Sequence, residues 1–238
     1  MKRFWQSTRK VVRDLVLACA AGTLVTAIAA PTALAHARHG EAHRRHHAGG
    51  REAQATRGVD VSHFQGAIDW RAVARDHVSF AYIKATEGAD TRDSRFVRNW
   101  RGARQAGIQV GAYHYFNFCR SGRAQAANFL AATPRASGLP PAVDLEPPSH
   151  RCRVSGPAVR RELTTYLAHV ERRDGRAVLY VTPGFYRAYH RYLPERPMWR
   201  RSIACRPKHG QSWTVWQYRM RGRVHGIHTY VDLNVSHA

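Results

Sequence analysis

From Gly58 onward the chain alternates between two kinds of hydrophobic spacing. Short β-branched and aromatic runs recur as GVDVSH, VSFAYIKATEG, VGAYHYFNF, PAVDLE, AVLYVT, MWRRSIA, TVWQY and TYVDLNV, eight candidate strands. Between the early runs the spacing changes to three and four residues, which predicts helices over 69–76, 94–106, 121–132, 156–173 and 183–192. Beyond Pro194 the helical spacing disappears and strands follow one another directly. Strand–helix alternation implies parallel strands joined by crossover helices, and eight strands suggest a closed α/β barrel with five β/α units and a β-rich end. An open doubly wound sheet is the competing topology, but no glycine-rich phosphate loop follows the first strand.

The first 57 residues do not share this pattern. Lys2, Arg3, Arg9, Lys10 and Arg13 precede an apolar run from Leu15 to Ala30, and Ala33-Leu34-Ala35 offers a small-residue cleavage site. Residues 1–35 therefore read as an export signal, with a secreted or periplasmic product and no stable membrane insertion once the signal is cleaved. Residues 36–57 contain five His, five Arg and no large apolar side chain, the composition of a disordered polycationic linker. That reading is preferred to a weak histidine metal site, because nothing there imposes a coordination geometry.

Charge sharpens the division. Of the formal +22, the first segment carries +4 and the linker +3, so +15 remains on residues 58–238. A basic exported domain suits anionic envelope polymers. No nucleic-acid recognition motif is present, so nucleic acid is not the expected partner. Cys119, Cys152 and Cys205 survive signal removal, which permits one disulfide and one leftover thiol. Cys119 and Cys152 are the expected pair, since each follows a predicted strand end by a few residues.

Candidate chemistry lies in the carboxylates. Residues 58–238 hold only 13 of them. Asp69, Asp76, Asp90, Asp93, Glu162, Glu171, Asp174 and Glu195 fall in helices or loops, where solvent is expected. Asp60, Glu87, Asp144, Glu146 and Asp232 instead sit in or at the ends of apolar β runs, where an unpartnered carboxylate is costly. In parallel barrels function gathers at the carboxyl ends of strands. Asp144 and Glu146 are two residues apart, so their side chains share one strand face with Cα atoms roughly 6.5 Å apart. Two carboxyls at such range can divide into an acid and an ionised partner near a sugar, although a structural pair answering basic residues has the same pattern. Tyr113 and Tyr115 alternate along GAYHYF, Tyr180 lies in AVLYVT, and Trp213, Trp216 and Tyr218 crowd TVWQY, all suited to stacking on sugar rings. Phe116, Phe118 and Trp199 read as core, and His114, of opposite parity to Tyr113, as a structural imidazole. No G-x-S-x-G elbow or H-E-x-x-H helix is present.

Taken in order, GVDVSHFQGAIDW, FAYIKATEG, NWRGARQAGIQVGAYHYF, LPPAVDLE, LYVTPGFY, WTVWQY and VDLNV resemble the glycoside hydrolase family 25 lysozymes, over essentially all of 58–238. The resemblance implies a single flattened (β/α)5β3 TIM-like barrel. It also implies cleavage of the β-1,4 bond between N-acetylmuramic acid and N-acetylglucosamine in peptidoglycan glycan strands, with no metal or organic cofactor. It assigns the acid to Glu146, the partner carboxylate to Asp144, further active-site aspartates to Asp60 and Asp232, and groove positions to Tyr113, Lys84, Tyr180, Trp216 and Gln217. Glu87 stays ambiguous. PMWRRSIA departs from the family's usual apolar strand and brings Arg200 or Arg201 near the barrel mouth. Cys119 and Cys152, with the insertion-like PPSHRCR, look similar to a disulfide-bearing branch. No repeat resembling a wall-binding module follows.

The implied mechanism has Glu146 protonating the glycosidic oxygen while Asp144 orients the substrate's acetamido group as internal nucleophile; a direct or inverting route stays open, because Cα spacing does not set carboxyl oxygen positions. Competing readings are a substrate-assisted chitinase, a non-catalytic basic envelope-binding protein and a nucleic-acid module. A chitinase pattern would require aspartates at 139 and 142, where Leu139 and Ala142 stand.

Overall fold

The computed structural model describes residues 56–135, 138–148, 152–203, 205–207 and 214–236. The expected export signal, the linker up to residue 55, and Trp213 lie outside the described residues. The strands are β1 (Thr56–Val61), β2 (Phe80–Glu87), β3 (Thr91–Arg92), β4 (Gln109–Tyr115), β5 (Ala142–Leu145), β6 (Val178–Val181), β7 (Met198–Arg201), β8 (Val215–Val224) and β9 (Ile227–Ser236). From β1 through β2, β4, β5, β6 and β7 to β8 every ladder is parallel. Strand β9 runs antiparallel between β8 and β1 and closes an eight-stranded barrel. The two-residue β3 stands outside the ring, paired only with the end of β2.

All five expected helices form: α1 (Trp70–Arg75), α2 (Phe96–Gln105), α3 (Gly122–Ala132), α4 (Gly156–Asp174) and α5 (Pro183–Tyr189). Their starts are set by local chemistry. Asp69 accepts from the backbone N–H groups of Arg71 and Ala72, and Ser121, Ser155 and Thr182 do the same for α3, α4 and α5. Pro157 and Pro183 occupy first turns, where a missing N–H costs nothing.

Period-two alternation divides the strand side chains between two cores. Outward residues such as Val59, Ile83, Val143, Leu145 and Leu179 join Val73, Trp100, Phe129, Leu163 and Leu167 of the helices in one large cluster. Inward residues Phe80, Tyr82, Ala142, Val178, Tyr180, Trp199 and Val215 form a second cluster that plugs the barrel. Tyr82 stacks on Trp199 at 4.7 Å, and Tyr180 meets the same indole edge-on at 5.0 Å. Gly58 and Gly111 clear the way for these rings, because a Cβ would stand 2.3 Å from Phe80 and 2.4 Å from Tyr82. Each large side chain so buried contributes about 1.5–3 kcal/mol.

Three expectations change. Strand β1 begins at Thr56, so Thr56 and Arg57 belong to the barrel, paired with Ser236 and Val235, and not to the linker; a backbone ladder needs no apolar side chain. Asp93 and Asp174 are not solvent carboxylates, since their side chains are 0% and 2% exposed. Asp93 accepts from the His63 and Arg95 backbone N–H groups and Asp174 from Arg173, partners that substitute for water. The Cys119–Cys152 disulfide forms, but Cys205 is also disulfide-bonded and is no leftover thiol.

Candidate active site

Next along each strand from the apolar plug, at the carboxyl-terminal mouth, the inward positions turn polar. Asp60 on β1 and Asp232 on β9 are direct register partners. Asp144 on β5 lies between Tyr115 of β4 and Tyr180 of β6 in the ladder, with Glu146 of the same parity just beyond it. Strand alternation thus directs four carboxylates distant in sequence into one opening.

The two aspartates on β1 and β9 are closely held. Asp60 Oδ2 accepts from Asn234 Nδ2 at 2.8 Å and from Gln217 Nε2 at 3.1 Å. Those amides are oriented in turn, because Trp199 Nε1 donates to Asn234 Oδ1 at 2.8 Å and the Tyr180 hydroxyl donates to Gln217 Oε1 at 2.9 Å. Burial pushes Asp60 up to about 6 against these hydrogen bonds. Asp232 is raised to about 9 by burial and then by the Asp60 charge across the ladder.

On β5 the carboxylates are less provided for. Asp144 Oδ1 is buried with no hydrogen-bond partner among the described residues. Burial, then the charges of Glu146 and Asp60, hold Asp144 well above the ordinary carboxylate range, while Lys84 and Arg201 pull the other way. Glu146 is also raised by burial, opposed by Arg201 and Lys84. Its Oε1 lies 3.5 Å from Arg201 Nη1. The four carboxylates repel one another, so they hold protons as a coupled group.

Around them, Tyr113 is held unionised by burial and by the charges of Asp60, Asp144 and Asp232. Lys84 Nζ donates to Glu87 Oε2 at 2.6 Å and lies 5.0 Å from the Tyr115 ring centroid. The ambiguous Glu87 is thereby the partner of Lys84 and not a fifth member of the cluster. His114 is structural, as its parity suggests. It is fully buried between Thr86 and Gln125 and depressed to about 3 by burial. Gln125 Nε2 donates to two backbone carbonyls, so its Oε1 faces His114 Nε2–H, and the Thr86 hydroxyl donates to Nδ1.

Not every expected groove residue joins. Trp216 has the opposite parity to Gln217, lies beside Arg200 in the ladder and donates its indole N–H to Ser202 O, on the outer side of the barrel wall. Tyr180 is present but works from beneath, its hydroxyl occupied by Gln217. The ambiguity between Arg200 and Arg201 resolves by parity as well. Arg200 turns out over the Tyr186 ring at 4.2 Å, and Arg201 faces the carboxylates. Asn234 was missed by the sequence reading, although its spacing of two from Asp232 was a usable signal.

A closed strand–helix barrel with a carboxylate cluster at its mouth is the architecture of a glycoside hydrolase. The sequence profile of Glycosyl hydrolases family 25 matches residues 59–227, and the chain belongs to that family. It is 36% identical to Lysozyme M1 of Streptomyces globisporus over 194 residues, 74% of this chain and 66% of that protein. It is 39% identical over 188 residues to the uncharacterized protein YegX of Escherichia coli K12, covering 75% and 68%. Among solved structures, a family 25 glycosyl hydrolase from Bacillus anthracis superposes with a TM-score of 0.72 at 35% identity, over 84% of this chain and 95% of that one. A bacterial lysozyme from Streptomyces coelicolor gives 0.70 at 34%, over 77% and 92%. The protein is thus a glycoside hydrolase of family 25.

Proposed function

We propose that this enzyme is an exported muramidase that hydrolyses the β-1,4 bond between N-acetylmuramic acid and N-acetylglucosamine, with Glu146 as general acid and Asp144 assisting the substrate's own acetamido group. The observation that carries this reading is the buried, unpartnered Asp144 Oδ1 beside a carboxyl of raised pKa. A buried acceptor without a donor is unfavourable by about 1–3 kcal/mol in the free enzyme. An acetamido N–H of the sugar supplies the donor. With that N–H held by Asp144, the acetamido oxygen attacks the anomeric carbon, the glycosidic C–O bond breaks, and the Glu146 proton goes to the leaving oxygen. Water then opens the cyclic intermediate, giving its proton to Glu146, which restores the acid. Asp60 and Asp232 hold the cluster from the opposite strands and share a proton.

Mass analysis of muropeptides after digestion tests the bond assignment, with muramic acid expected at the new reducing ends. Glu146→Gln is expected to abolish release while retaining glycan binding, and an active Glu146→Gln protein sinks the role given to it.

Export and contact with anionic envelope polymers belong to the same reading. They are supported by the apolar leader pattern and by exposed Arg219, Arg221 and Arg223 of β8, the last two stacked on Tyr230 at 4.4 and 4.3 Å. Binding to walls rich in anionic polymer is expected to weaken with salt, as exposed charges are screened.

A further inference from the structure

The carboxylate cluster contains a cation that the reaction outlined above does not use. Arg201 faces inward on β7, two residues beyond Trp199 of the plug, and the ladder places it beside Gln217 of β8. Its guanidinium lies 3.5 Å from Glu146 Oε1 and is three-quarters buried. Gln217, its neighbour in the ladder, accepts from the Tyr180 hydroxyl and donates to Asp60 of β1.

We propose that Arg201 is a positioning residue of the hydrolase: paired with Glu146 across the barrel mouth, its guanidinium orients the Glu146 carboxyl and sets the pH window in which the carboxylate cluster turns over. This rests on the assignment of Glu146 as acid. The groups that face Glu146 come from every strand around the mouth. Asp60 of β1, Asp144 of β5 and Asp232 of β9 are negative when ionised. Tyr115 of β4 and Tyr180 of β6 are kept neutral by burial, and Gln217 of β8 carries no charge. Lys84 of β2 is positive but already paired with Glu87 at 2.6 Å. Among the described residues Arg201 is therefore the cation paired with Glu146, and its guanidinium stays charged at any working pH.

A cation at this distance favours the ionised forms of both Glu146 and Asp144, so it moves the whole bell-shaped profile toward acid. Arg201→Gln is expected to shift both limbs of the kcat profile upward by about one pH unit and to lower kcat more than it raises KM. Arg201→Lys, which keeps the charge without the planar fork, is expected to restore the profile while recovering only part of kcat. A merely structural arginine predicts the opposite pattern: lower activity in Arg201→Gln with both limbs unmoved, which overturns the proposal.

Should Arg201→Gln not fold, Arg201→Met keeps the apolar stem for the same comparison. Melting temperatures give a second reading. The neutral variants are expected to lose more stability relative to wild type at pH 8 than at pH 5, where the carboxylates hold protons. An equal loss at both pH values also overturns the proposal. Glu146→Gln separates the two levels: activity in that variant removes the underlying assignment, whereas an inactive Glu146→Gln with an unshifted Arg201→Gln profile removes only the role of Arg201.

Discussion

Two pairs of carboxylates share one barrel mouth and are treated differently by the fold. Asp60 and Asp232 face each other across an antiparallel ladder, and the accepting oxygen of Asp60 meets two amides, each oriented by an aromatic donor. Asp144 and Glu146 follow one another along β5 and its end, and among the described residues one buried Asp144 oxygen has no donor and Glu146 is held by a 3.5 Å ion pair. In the first pair Asp60 has its donors without a ligand. The second has unused hydrogen-bonding capacity, and that capacity is what a substrate can satisfy.

The largest effect is expected where capacity is unused. Glu146→Gln should lower turnover by about 10²–10⁴-fold, the range for removing a general acid, with thermal stability close to wild type. Asp144→Asn is expected to follow in turnover. It should also hold or raise the melting temperature, because a buried carboxyl with an orphaned oxygen is a local cost. Calorimetry and reducing-end assays on both variants check this, and a large loss of stability in Asp144→Asn breaks the contrast.

The completed pair should show the reverse balance. Asp60→Asn replaces the carboxylate oxygen that accepts from Asn234 and Gln217 by a neutral, weaker amide acceptor and is expected to lower stability by about 1–3 kcal/mol, with a smaller proportional loss of turnover. Its pH dependence has a definite sign. Asp60 and Asp232 have folded pKa values raised to about 6 and about 9, so their stabilising contribution is present below the unfolded value and is lost as pH rises through those folded values. Melting temperature should therefore fall between pH 5 and pH 9, and Asp232→Asn should flatten that fall.

An effect confined to stability, separate from both pairs, comes from the disulfide. Cys119–Cys152 closes a loop with a sequence separation of 33. Replacing both cysteines by Ser should lower stability by about 3–4 kcal/mol on the chain-entropy account and leave the pH profile of turnover unchanged. A shifted profile would tie the loop to the carboxylates.

Periodicity alone located all eight barrel strands and all five helices, because one-sided burial imposes periods of two and 3.6 on any chain that forms them. The same parity placed Asp144 with Glu146, and the rarity of carboxylates in apolar β runs separated Asp60, Glu87, Asp144, Glu146 and Asp232 from the solvent set. What the chain could not disclose by itself was which groups meet across the ring. The orienting of Asn234 by Trp199, the pairing of Lys84 with Glu87, the outward turn of Trp216, the burial of Asp93 and the bonding of Cys205 all depend on partners distant in sequence. Only closure of the barrel through β9 set Asp232 against Asp60, and only the β7 register carried Arg201 to Glu146. Local spacing decides which face a side chain takes; the tertiary ladder decides what stands opposite it.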